Sequence, residues 1–232
     1  MNFLPVLSIL EPEQLDTMLA FGYYRMQQSL FTTNFAHTDD RSRISVIWAR
    51  VLLIDFEQNH RLKKLRSRTR KFQLKLYPTR ITEEVEQLYA RYRASINFDG
   101  NDSVSSCLLG FSNHDFFPGR MWEIRDGEKL IAAGYFDEGQ ESCAGILNFF
   151  DPDYRKYSLG LLLYFESVAF AAHNGKTFFY PGYIGVGYPK FDYKLEVGAD
   201  RIELWHPRLM CWLPYFPETL EIISEDNGKN IL

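Results

Sequence analysis

Three groups of residues in this 232-residue chain have types and spacings that could do chemistry. The first is "DPDYRKYSLG", Asp151 to Gly160, which sets an acid, Arg155, Ser158 and Gly160 between two apolar runs. A strand turning into a helix there would aim backbone N–H groups outward, a seat for an anionic or strongly polar ligand. Helix capping by Ser158 is the structural alternative. The second group is "YPGYIGVGYPKFDYK", a glycine-rich loop from Tyr180 that leads to Lys190 and Lys194 beside Phe191 and Tyr193. Glycines let a ligand approach closely, lysines suit phosphate, and tyrosines can stack on a base, although an ordinary solvated loop has the same composition. The third is "HRLKKLRSRTRKF", residues 60–72, with seven Lys or Arg, Lys64, Arg66 and Arg68 among them, and no acid. The formal net charge is −4, so the rest of the chain carries −11. Such segregation suits a phosphate-binding stripe; a solvated helix face is the alternative.

Composition narrows the classes. With 46% hydrophobic and 16% aromatic residues, the chain can bury a large core. Cys107, Cys143 and Cys211 are far apart and form no C-x-x-C pair, so no metal ligand set and no disulfide framework is visible. A reduced, cytoplasmic setting is expected. None of the five histidines lies beside a serine or cysteine in a nucleophile motif, which argues against a hydrolase. The start, "MNFLPVLSIL", lacks a basic leader and reads as a structured segment, and no apolar run reaches the ~20 residues of a membrane helix.

Elements must position these groups. Leu15, Met18 and Leu19 have helical spacing before Gly22, and Ser45 to Phe56 reads as a strand. A strand is predicted over 72–78, then a helix over 82–95 capped by Thr82. Residues 97–119 read as a loop with a short helix. Two strands flank an Asp126-Gly127 turn, "CAGILNFF" is a third, a nearly all-apolar helix runs from Ser158 to Gly175, and "KTFFY" is a strand. Strand, buried helix and strand predict a β-α-β crossover with parallel strands. The fold class expected is α/β, a mixed sheet with flanking helices plus a smaller N-terminal α+β part. The divisions expected are 1–75 with the basic segment, 76–217 as the main domain, and 218–232 as a polar tail.

That strand order resembles acyltransferases of the GNAT type, whose Q/R-x-x-G-x-G/A turn holds the pyrophosphate of acyl-CoA. Arg155, Ser158 and Gly160 occupy its positions, with Ser158 replacing the first glycine. The longer stretch "FFDPDYRKYSLG" followed by "FFYPGYIGVGYPKFDYK" resembles the C-terminal half of arginyl-tRNA–protein transferases and the bacterial aspartate/glutamate leucyltransferases. The matching residues include Phe149, Asp151, Pro152, Ser158, Leu159, Gly160, Tyr180, Gly182, Tyr183, Lys190, Tyr193 and Lys194. Upstream, Gly22 and Arg25, "ARVLLIDF", "QLYARY" and Glu123 have counterparts in the family. The family's N-terminal cysteine cluster is missing, "SINFDG" stands where the family has R-H, and Tyr188 replaces a cysteine.

The resemblance implies transfer of an amino acid, Arg or Leu, from charged tRNA to the α-amino group of proteins with acidic N-termini. It implies aminoacyl-tRNA as co-substrate and no other cofactor; the missing cysteine cluster removes a metal role, and no membrane partner and a monomer are expected. Glu123, Asp151 and Tyr183 are the candidates for proton handling. Arg155, Ser158, Gly160, Lys190, Tyr193 and Lys194, with Lys64, Arg66 and Arg68, are candidates for holding the donor tRNA. Arg25 and Arg43 are candidates for the acceptor's carboxylate. The alternatives are a CoA-dependent acyltransferase and a catalytically inactive reader of N-termini or tRNA.

Overall fold

The computed structural model describes residues 2–38, 42–57, 59–97 and 100–228. In chain order the elements are β1 (Asn2–Pro5), α1 (Pro12–Ala20), β2 (Tyr24–Met26), β3 (Ser29–Thr32), β4 (Phe35–His37), β5 (Arg43–Leu52) and α2 (His60–Thr69). Next come β6 (Gln73–Pro78), α3 (Glu83–Ala94), α4 (Val104–Leu108), β7 (Gly119–Asp126), β8 (Lys129–Glu138) and β9 (Ser142–Phe150). A 3₁₀ turn, Pro152–Tyr157, leads into α5 (Leu159–His173) and β10 (Phe178–Gly185). A second 3₁₀ segment, Pro189–Val197, precedes β11 (Ile202–His206), β12 (Cys211–Pro214) and α6 (Pro217–Gly228).

The main sheet runs β12-β11-β5-β10-β9-β8-β7-β6, with β4 attached to β5. Strands β6 to β9 pair antiparallel, and β10 returns parallel to β9 after α5. The mixed α/β class and the crossover predicted from the sequence are therefore both present. Strand β5, from the N-terminal stretch 1–75, lies inside this sheet between β10 and β11. The buried residues explain why: Ile47, Ala49 and Val51 join the core of α5 on one face, while Trp48 packs with Leu15, Leu19 and Tyr24 on the other.

Helices α2, α5 and α6 cover one face of the sheet. The small β1-β3-β2 sheet with α1, and the α3–α4 pair, cover the other. Helix α5 is apolar almost all round because it is sandwiched, with Leu159, Leu163, Phe165, Val168 and Ala171 fully buried. Helix α3 starts where Thr82 accepts the Val85 N–H at 3.3 Å, and its acidic first turn and basic last turn suit the helix dipole. The segment expected as a polar tail instead opens with α6, anchored by buried Ile223 against the sheet; residues 229–232 of that expected tail lie outside the described residues. Of the "SINFDG" stretch, Phe98 and Asp99 also lie outside them.

Candidate functional site

The corner after β9 is rigidly built. Asp151 caps the 3₁₀ turn, accepting the Asp153 N–H at 3.1 Å, and pairs with Lys129 at 2.8 Å and Arg91 at 3.3 Å. Burial by itself would raise the pKa of this carboxyl. The Lys129 and Asp153 hydrogen bonds and the charges of Lys129 and Arg91 outweigh it and hold Asp151 below the ordinary aspartate range. So fixed an anion is a poor proton acceptor, which corrects the base role expected for Asp151. Ser158 begins α5 in the left-handed region, φ 55° and ψ 46°, and its side chain makes no capping hydrogen bond. It is therefore a strained corner and not a conventional cap. Two residues on, a Cβ at Gly160 would meet only the Phe150 ring, at 3.5 Å.

Beyond the corner the two parallel strands part. Strands β9 and β10 pair only from Phe178↔Ser142 to Tyr180↔Ala144, and an irregularity between Phe179 and Gly182 marks the break. Pro181 lies at that break, where it cannot donate to a ladder. A cavity of about 110 Å³ opens there, lined by Gly145–Asn148 of β9, Tyr164 and Ser167 of α5, Pro181 of β10, and Tyr193. From the opposite face the Tyr24 hydroxyl reaches two carbonyls at the parting point, Tyr180 at 2.7 Å and Gly145. Tyr24, Tyr164 and Ser167 are site residues that carry no motif; the one sequence signal for the gap was a proline inside a strand.

The Pro189–Val197 segment closes over α5. The Tyr164 hydroxyl donates to the Lys194 carbonyl at 2.8 Å, and the Tyr164 and Tyr193 rings meet edge to face. Lys194, only 5% exposed, turns its amine inward and donates to the Tyr183 carbonyl at 2.5 Å. The amine lies 5.0, 5.2 and 5.8 Å from the ring centres of Phe191, Tyr183 and Tyr193. Desolvation pushes its pKa down to about 7. Lys194 therefore does not present a charge to phosphate, contrary to the sequence expectation. Burial raises the Tyr183 hydroxyl above its usual value, so it stays protonated, wedged between Trp48 and Phe191. Lys190 is exposed, close to Tyr92 of α3. Tyr193 keeps 42% of its surface open although desolvation pushes its hydroxyl up to about 12.

The basic run forms α2, which spans the two loops. At its start Asn59 accepts the Leu62 N–H at 3.0 Å and donates to the Glu196 carbonyl at 2.9 Å, and Arg61 pairs with Glu196. At its end Arg68 donates to the Lys156 carbonyl in the corner turn. Leu62, Leu65 and Thr69 face the core. Arg66 is clamped on buried Glu166 of α5, which corrects its assignment as a tRNA contact. Lys63, Lys64, Arg68, Arg155 and Lys156 remain on the surface.

Two expected residues are elsewhere. Glu123 stands in register with Ala133 and Phe149 and faces α3, on the other side of the sheet from the cavity. It is clamped by Arg80 at 2.5 Å and Arg125 at 2.9 Å, so the base role expected for it is corrected too. Arg25 is buried under Phe117, pairs with Asp137 at 2.8 Å and Asp115 at 2.7 Å, and donates to the Leu108 carbonyl. Asp137 aligns with Ala144 near the start of β9, at the end of the sheet away from the corner. Arg25 thus anchors the small sheet and is not available to an acceptor carboxylate. Arg43 is exposed over Phe35, at the sheet end where β10 finishes.

Among the described residues, no group of three or more His, Cys, Asp or Glu could hold a metal ion, and no helix is long and apolar enough to cross a membrane. A cavity between parting strands, a strained turn and a basic helix thus share one side of the molecule.

Known proteins resemble this chain in sequence. The chain is 25% identical over 172 residues to arginyl-tRNA–protein transferase 1 of Saccharomyces cerevisiae, covering 62% of this chain and 34% of that one. It is 27% identical over 187 residues to an aspartate/glutamate leucyltransferase of Shewanella oneidensis, covering 80% and 76%. L-PGS from Bacillus licheniformis aligns with a TM-score of 0.45 at 14% identity, over 73% of this chain and 49% of that structure. The aligned part thus spans about a third of the yeast protein and three quarters of the bacterial one. Residues 84–202, about half of the chain and the part that builds α3, the corner, α5 and the lysine segment, match the family described as "Arginine-tRNA-protein transferase, C terminus", and the chain belongs to that family.

Proposed function

We propose that this protein is an aminoacyltransferase that moves an amino acid, Arg or Leu, from charged tRNA to the α-amino group of a protein. The single observation that carries the reading is the cavity between β9 and β10, walled by Tyr164 and Tyr193 inside the family-matched region. The chemistry asks little of the protein. An aminoacyl ester is already activated, and an acceptor α-amine with a pKa of about 7.7–8.0 is partly neutral at neutral pH. Catalysis then rests on positioning two substrates and accepting a proton.

In this reading the tRNA backbone lies along α2 and the corner turn, against Lys63, Lys64, Arg68, Arg155 and Lys156, all of which face solvent. Tyr193 and Tyr92 offer faces for the terminal base, with Lys190 beside them. The acceptors are proteins with acidic N-terminal residues. Arg43, exposed at the start of β5 where β10 ends ahead of the Pro189–Val197 segment, pairs with the acidic side chain. The protein works as a monomer in the cytoplasm and needs no cofactor beyond the charged tRNA.

Single-turnover transfer from tRNA charged with Arg or Leu to peptides beginning with Asp or Glu tests this, with acetyl-CoA as a parallel donor. Formation of the aminoacyl peptide is the expected result. Peptide acetylation without aminoacyl transfer would replace it with a CoA-dependent enzyme, and tRNA binding without any transfer would leave an inactive reader.

A further inference from the structure

We propose that Lys194 is the proton acceptor of the transfer reaction, its amine taking the proton that the acceptor's α-ammonium must lose. This deepens the aminoacyl-transfer reading and rests on it. The proposal starts from what is odd about the residue. A lysine on a solvated loop would hold its ammonium in water, yet Lys194 is 5% exposed and points its amine into the fold. There it meets one backbone carbonyl, Tyr183 O at 2.5 Å, and the faces of three aromatic rings.

The surrounding titratable groups are hydroxyls: Tyr164 from α5, Tyr183 from β10, and Tyr193 from its own segment, each held protonated by burial. Glu196, further along the segment, is paired with Arg61 of α2 at 2.9 Å. Lys190 and Asp192 share the segment and are exposed. Desolvation alone brings the amine to a pKa of about 7, where half of it is neutral at neutral pH. An acceptor poised near the working pH is what general base catalysis favours.

The geometry sets the amine behind the cavity wall. Pro181 and Tyr193 line the cavity, and each is one residue from the lysine's surroundings: Gly182 follows Pro181, and Lys194 follows Tyr193. Gly182 has φ +92°, and a Cβ there would stand 3.4 Å from the amine. That is ordinary contact distance, so it is the positive φ and not crowding by the amine that calls for glycine. Lys194 itself does not line the cavity, so a substrate amine there must reach it past Tyr193 and Pro181, through one water or by a tightening of the segment on substrate.

The step balances. The acceptor enters as an ammonium and gives one proton to Lys194 Nζ. The freed lone pair forms the C–N bond to the ester carbonyl carbon, and the bond from that carbon to the ribose oxygen breaks. That oxygen leaves with the second proton, and the third stays on the amide nitrogen. Lys194 then returns its proton to solvent.

The test is single-turnover transfer by the full chain, with charged-tRNA affinity and melting temperature measured on the same samples. Lys194→Arg keeps the charge but cannot deprotonate near neutrality; Lys194→Ala leaves room for an added amine. Both variants are expected to bind charged tRNA within about twofold of wild type and to transfer ~100-fold or more slowly. Added ethylamine should restore transfer in Lys194→Ala in proportion to its unprotonated fraction. Wild-type transfer by Lys194→Arg, a loss explained wholly by weaker tRNA binding, or no rescue in a folded Lys194→Ala would overturn the proposal. A pH profile of the wild type needs no variant: with two acceptors of different amine pKa, one break near pH 7 should stay fixed, and a profile whose only break follows the acceptor would equally overturn it. If the wild type transfers nothing, the aminoacyl-transfer reading itself fails.

Discussion

Arg66 grips Glu166 with two parallel hydrogen bonds, 2.7 and 2.6 Å, and through this pair the basic helix α2 is fixed to α5. Glu166 is almost fully buried, with 6% of its side chain exposed, while Arg66 keeps 41%. Removing the arginine leaves an uncompensated buried carboxylate. Arg66→Ala should therefore cost about 1–3 kcal/mol in urea unfolding, less than a fully buried pair because water screens the exposed partner. A variant as stable as wild type would mean that the Arg66–Glu166 pair does not hold α2 in place.

Lys64 and Arg68 have the opposite character. Both are exposed, and Arg68 leans on a backbone carbonyl and no acid, so reversal to Glu should leave stability within about 0.5 kcal/mol. Affinity for charged tRNA should fall, and the slope of log affinity against log salt should flatten by roughly one for each phosphate contact removed. Unchanged affinity and slope in the double variant would remove α2 from the tRNA interface.

The corner offers a pair of glycine experiments. Ser158 holds a left-handed conformation that costs a non-glycine residue about 1–2 kcal/mol, and glycine's extra chain entropy returns about 0.5–1. Ser158→Gly should thus be slightly stabilising, by about 0.5 kcal/mol. Gly160 has ordinary space for a methyl group, so Gly160→Ala should not destabilise the fold. If the glycine serves close approach of a ligand, transfer and not melting temperature will fall in Gly160→Ala; full activity would show that the turn does not touch substrate.

A buried acid shapes the pH response. Burial, opposed by Arg25 and assisted by Asp115, pushes Asp137 up to about 6. Its folded pKa lies above the unfolded value of about 3.9, so between roughly pH 4 and pH 6 the native state holds the proton longer. This group's contribution to stability therefore declines as pH rises through that window. Melting temperature against pH should show the decline in wild type, and Asp137→Asn should flatten it. An unchanged profile in Asp137→Asn would assign the pH response to other groups.

Much of the frame was legible beforehand. Thr82, with Val85, Leu88 and Tyr89 behind it, marked α3; the Asp126-Gly127 turn marked the β7–β8 hairpin; and the unbroken apolar run after Ser158 marked the sandwiched α5. These signals are local, set by caps, turns and periodicity. The short strands β1 to β4, β11 and β12 escaped because three to five residues carry too little pattern. Within the site, motif order placed the Ser158 corner and the Lys194 segment correctly along the chain. It could not show that Arg25, Arg66 and Glu123 are locked in ion pairs, because their partners Asp137, Glu166 and Arg80 lie 112, 100 and 43 residues away. Nor could it show Lys194 turning inward, since burial of a lysine is decided by the rings around it.

The cavity between β9 and β10 is best tested by filling it. Ser167 lines it, and Ser167→Leu would occupy its ~110 Å³ while the hydroxyl lost is only bonded back to the Leu163 carbonyl of its own helix. With a melting temperature within a few degrees of wild type, single-turnover transfer from charged tRNA should drop by ~100-fold. Wild-type transfer in that folded variant would contradict the placement of the reaction between the two strands.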